Sequence, residues 1–174
     1  VVTPIKAPDG GDASAGLDAE EPEESATKTT PSPVVPSPPI PPIPTGLDES
    51  VINAGRAALI AIGGVAQPLG ADAPWLEVIL TRVEPSATDE VLTLLASIAP
   101  LVAHLNLSGT AITDGGMPDI GSLAVLRQCR LDRTKITTDG VKLLLPAPYL
   151  TTLNLFGTDV DDHVVELLLE MPSL

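Results

Sequence analysis

The chain has 174 residues and carries 9 Lys and Arg against 23 Asp and Glu, a formal net charge of −14. So acidic a surface repels phosphate backbones and anionic headgroups, which argues against nucleic acid and against an acidic membrane surface as partners. One cysteine, Cys129, allows no internal disulfide, and only three aromatic residues (Trp75, Tyr149 and Phe156) leave the core to Leu, Ile, Val and Ala.

Residues 1–47 read as an acidic, proline-rich linker or docking arm. Eleven of the 19 prolines fall there, and Glu20-Glu21-Pro22-Glu23-Glu24 concentrates charge. Such a composition cannot bury enough apolar surface to offset chain entropy, and its proline-dense part favours polyproline II. A domain is expected over 48–174. Asp48 has the chemistry of a helix N-cap, with Glu49 in the first turn and Gly63-Gly64 as the stop. This predicts a helical cap within 48–75. A degenerate first unit over 76–100 follows, with a strand at Leu76–Leu80 and a helix at 89–98. No stretch reaches the roughly 18 apolar residues of a bilayer span. The best, Ala57 to Ala66, is short and holds two glycines, so this segment is not expected to insert in a membrane.

Three clearer units follow at 101–124, 125–148 and 149–172. Thr110, Thr134 and Thr158 stand at intervals of 24. Leu107, Leu131 and Leu155 precede them by three residues, and Leu105, Cys129 and Leu153 by five. Ile112, Ile136 and Val160 follow two residues later. A period in the twenties built on L-x-x-L-x-L is the pattern of leucine-rich repeats. The reading is a short right-handed α/β solenoid with a helical N-terminal cap, each unit holding a strand, a threonine turn and a helix. The threonine hydroxyls should satisfy turn backbone, and Thr113, Asp114, Thr137, Thr138, Asp139, Asp161 and Asp162 should cap helices. Pro118 and Gly121 predict one short or irregular helix. Met171-Pro172-Ser173-Leu174 has the look of a lead-in to another unit, which predicts a piece of a longer polypeptide.

Alternation places three rows of outward side chains on a concave sheet. The first is His104, Gln128 and Thr152, the second Asn106, Arg130 and Asn154, the third Ser108, Asp132 and Phe156. Arg and aromatic residues are enriched at interface hot spots, so this face is the candidate protein-binding surface. No catalytic residue, metal ligand or cofactor is expected. His104 and His163 have no metal-ligand spacing to a second His or to Cys, no G-x-S-x-G elbow is present, and no C-x-x-C-H haem attachment occurs.

The strings Leu105-Asn106-Leu107-Ser108-Gly109-Thr110-Ala111-Ile112-Thr113-Asp114 and Leu153-Asn154-Leu155-Phe156-Gly157-Thr158-Asp159-Val160 resemble the L-x-L-x-G-T-x-V-T-D repeats of bacterial leucine-rich-repeat proteins. Residues 52–83 also look like a module preceding such repeats in membrane-anchored proteins with a c-type cytochrome domain. The resemblance implies a periplasmic or extracytoplasmic setting and a protein partner within a membrane-associated complex, an electron-transfer complex among the candidates. It leaves two alternatives: a repeat domain of a cytochrome whose haem lies outside this segment, and a passive spacer.

Overall fold

The computed structural model describes residues 48–174 apart from Asp72 and Pro85, so the proposed arm at 1–47 lies outside the described residues. The described part is mixed α/β. Helix α1 spans Glu49–Ala61. Asp48 caps it as expected, its carboxylate accepting from the Ser50 N–H at 2.9 Å. Leu59 is its buried anchor, and Gly55 sits where Ser97 and Ile98 leave no room for a side chain. The helix ends at Gly63, whose φ of 88° is open to glycine at little cost.

The predicted cap over 48–75 is helical only to Ala61. Strand β1, Val65–Pro68, then pairs antiparallel with β2, Leu76–Ile79. Pro68 is tolerated because it lies at the end of an edge strand, where a missing N–H breaks no interior ladder. From β2 onward every pairing is parallel. Strands β3 (Val102–Asn106), β4 (Gln128–Arg130) and β5 (Thr152–Asn154) complete an open five-stranded sheet in the order β1-β2-β3-β4-β5.

The register explains the 24-residue interval. Leu105 lies beside Cys129, and Cys129 beside Leu153. One interval of sequence is therefore one step across the sheet. The ladder continues past the strand ends: Leu107 N–H donates to Arg130 O at 2.9 Å and Leu131 N–H to Asn154 O at 2.9 Å. Leu105, Leu107, Ile112, Cys129, Leu131 and Ile136 are all buried, whereas their successors Leu153, Leu155 and Val160 are only partly so. Among the described residues, the last unit is covered on one side only.

Short helices return the chain between strands. They are α2 (Asp89–Leu92), extended by a 3-10 turn over Thr93–Ser97, α3 (Met117–Gly121), α4 (Thr138–Lys142) and α5 (Val164–Glu170). The helix predicted over 89–98 thus tightens half-way. Helix α4 opens at Thr138 and is over by Lys142. The brevity of α3 matches Pro118 and Gly121. A side chain at Gly121 would meet the Leu143 carbonyl oxygen at 2.5 Å, so this glycine allows a close helix approach.

Each threonine of the 24-residue column satisfies its own turn. Thr110 Oγ donates to Leu107 O at 2.7 Å, Thr134 to Leu131 O at 2.6 Å and Thr158 to Leu155 O at 2.7 Å. Two of the expected caps are present: Thr113 Oγ accepts from the Gly115 N–H at 3.2 Å and Asp161 Oδ1 from the His163 N–H at 3.0 Å. Asp89 and Asp114 act differently, because they join consecutive units. Asp89 accepts from both the N–H and the hydroxyl of Thr113, at 2.8 and 2.6 Å. Asp114 does the same for Thr137 at 2.8 and 2.6 Å. At the last joint the partners exchange sides, Thr138 Oγ lying 2.8 Å from Asp161 Oδ1 and accepting from the Asp161 N–H at 2.9 Å. Among the described residues no helix is long and apolar enough to cross a membrane.

Candidate binding face

The outward face of the sheet brings the expected rows together. His104 neighbours Gln128, and Gln128 neighbours Thr152. Asn106 neighbours Arg130, and Arg130 neighbours Asn154. Both rows extend further than the sequence indicated. Glu77 of β2 lies beside His104, and Gln67 of β1 beside Glu77, with Gln67 Nε2 donating to Glu77 Oε2 at 2.8 Å. These two escaped the sequence reading because the degenerate unit and the antiparallel strand do not follow the 24-residue pattern.

The third row behaves unequally. Asp132 is a hub, not an open ligand: its side chain is only 13% exposed. Its Oδ1 accepts from Asn154 Nδ2 at 3.0 Å, lies 2.7 Å from Ser108 Oγ and 3.4 Å from Arg130 Nε. Ser108 Oγ also lies 2.7 Å from Asn106 Oδ1, which accepts the Ser108 N–H. Ser108, Asn106, Asp132 and Asn154 thus form one network across three strands, largely satisfied from within. Partial burial pushes the Asp132 carboxyl up. The Ser108 hydroxyl and the Arg130 charge outweigh that push and hold it below the usual carboxylate range. Phe156 stands apart in the turn after β5, the residue 70% exposed while its N–H donates to Asn154 Oδ1 at 3.1 Å.

A shallow groove of about 100 Å³ follows the face, lined by Glu77, His104, Asn106, Gln128 and Arg130. It is far below the roughly 300 Å³ of a small-molecule pocket. A larger depression of about 480 Å³ opens between α4 and α5. There Lys142 pairs with Asp139, and Asp161 holds both Thr138 and His163. Its charged side chains are largely committed to one another. Among the described residues no three His, Cys, Asp or Glu side chains converge on a point that a metal could occupy. Cys129 is fully enclosed, and burial pushes its thiol up to about 12. At neutral pH it is a protonated, apolar wedge between Leu105 and Leu153.

No family model matches the chain, and no curated protein matches it. The reading therefore rests on the face itself.

His104 gives the face a pH signature. Its partial burial lowers its pKa; Glu77 opposes this and Arg127 adds to it. The folded state therefore binds this proton less readily than the unfolded chain does, whose histidines titrate near ~6.5. That contribution is complete above pH ~6.5 and is lost as pH falls through the lower folded value. Asp132, also lowered, keeps its contribution until the carboxylate range below pH ~4. Thermal unfolding at pH 7.5 and 5.5 should show a lower Tm at 5.5, and His104→Gln should shrink that difference.

Proposed function

We propose that residues 48–174 are a short right-handed leucine-rich-repeat solenoid of the L-x-L-x-G-T-x-V-T-D type, and that its concave sheet face binds another protein without catalysis. The single observation behind this is Phe156, a large apolar side chain exposed in the turn that follows β5, two residues past Asn154, the strand neighbour of Arg130. The Arg130 side chain is half exposed, and among the described residues only its Nε is engaged, by Asp132. An exposed aromatic on the unit next to an exposed guanidinium is the composition of an interface hot spot. The polar network around Asp132 fixes Arg130 and Asn154 in advance, so less side-chain entropy is lost on contact. The resemblance of the repeats supports an extracytoplasmic partner within a bacterial membrane-associated complex.

The test is affinity purification from detergent-solubilised native cells, with unaltered chain and with Phe156→Ala and Arg130→Ala. Each variant should keep its Tm to within a few degrees and lower the yield of the co-purifying protein about tenfold or more, as truncating a hot spot does. Equal yields from all three would favour a passive spacer.

A further inference from the structure

In a chain with 9 cationic side chains, four lie within nine residues: Arg127, Arg130, Arg133 and Lys135. Arg127 lies just before β4, Arg130 is its last residue, and Arg133 and Lys135 follow in the turn beyond it. Arg130, Arg133 and Lys135 are exposed and Arg127 is half-buried. Among the described residues, Asp132 is the one acidic group that pairs with any of them, and it pairs with Arg130. An otherwise acidic protein thus concentrates positive charge in β4 and the segments that flank it.

Arg133 adds an independent observation. It occupies the turn position held by Gly109 one step before and Gly157 one step after. All three have left-handed backbone, with φ of 72°, 59° and 69° for Gly109, Arg133 and Gly157. Arg133 is the one described non-glycine residue with positive φ. Glycine adopts this conformation freely and a long side chain does not. Arg133 therefore carries strain that glycine at the same place would remove, and strain of this kind is concentrated at functional sites. Nothing in the turn requires the arginine: its N–H donates to Phe156 O at 2.8 Å, a bond glycine would make equally well. Its aliphatic stem runs alongside Gly157, so its side chain lies next to the Phe156 turn.

We infer that this face takes an acidic, extended polypeptide segment of the partner protein, with carboxylates on Arg130 and Arg133 and an apolar side chain against Phe156. The inference rests on the concave-face reading above and adds the chemistry of the partner. Arginine suits carboxylates because its planar fork can donate two parallel hydrogen bonds. The remaining acidic surface repels competing acidic chains and steers such a segment to the one basic strand. The overall charge also disfavours nucleic acid as the occupant, since a long polyanion would meet the acidic surroundings of the strand.

The test uses a fluorescent peptide of alternating Glu and Leu with one central Phe, its Lys-for-Glu counterpart, and a labelled single-stranded DNA of similar length. Anisotropy should show the Glu peptide binding more tightly than the other two, with affinity falling as salt rises. Arg133→Gly should weaken it about fivefold or more while raising Tm by about 3–6 °C, the sign of relieved backbone strain. Arg133→Gly leaving affinity unchanged, or the Lys peptide or the DNA binding as well as the Glu peptide, would overturn the inference. Failure here with Phe156→Ala still abolishing co-purification would remove only the acidic class. Loss of both results would remove the binding face itself.

Discussion

Leu131→Ala should lower the unfolding free energy by about 3 kcal/mol, and Leu155→Ala by only about 1 kcal/mol. Both are the same residue type at the same place in a 24-residue unit, so the difference isolates position along the stack. Leu131 is fully enclosed, with Leu107 before it in the column and Leu155 after it. Its truncation removes the transfer term and leaves a cavity that neighbours on both sides hold open. Leu155 is partly exposed. Its alanine variant opens to solvent on the uncovered side, and the cavity term largely disappears. Chemical denaturation of the two variants measures the pair directly. Equal losses would mean that the last unit is as enclosed as the central one. That would contradict the uncovered faces of α5, where Val165 and Leu169 are exposed, Leu169 to 82%.

The leucine columns made this much of the fold legible in advance. A 24-residue interval repeated three times leaves one economical arrangement, strands side by side in register, and Leu105, Cys129 and Leu153 occupy it. Capping chemistry at Asp48 was equally readable because it is local. What failed to show in the sequence was set by contacts at a distance. Strand β1 has one buried residue, Ala66, and owes its form to the β2 backbone beside it. The rows His104, Gln128, Thr152 and Asn106, Arg130, Asn154 followed from alternation. The internal pairing of Asp132 did not, since it depends on three strands meeting. Arg133 interrupts the column of Gly109 and Gly157, a departure the periodicity alone gave no reason to single out. Its left-handed φ is what turns that oddity into an argument.

The carboxylate joints give the second large effect. Asp114→Ala should cost about 2–3 kcal/mol, because it removes two charge-assisted hydrogen bonds and strands the N–H of Thr137. The neighbouring glycines say why the joints differ. A side chain at Gly116 would press on Asp89, with Cβ 2.9 Å from Asp89 Oδ1, and one at Gly140 would press on the Asp114 carboxylate. The residue one interval further on is Val164, and there the preceding unit offers Thr138 where the earlier joint has Asp114. Aspartate is thus matched with glycine at two joints and threonine with valine at the third. Gly140→Ala in the unaltered chain should therefore cost about 1–2 kcal/mol by forcing the Asp114 carboxylate away from Thr137. In a background carrying Asp114→Thr and Thr137→Asp, which copies the last joint, the same substitution should cost much less. A double-mutant cycle on unfolding free energies reads the coupling. An additive cycle would mean that Gly140 answers to the helix backbone, and that the match between carboxylate and glycine is coincidental.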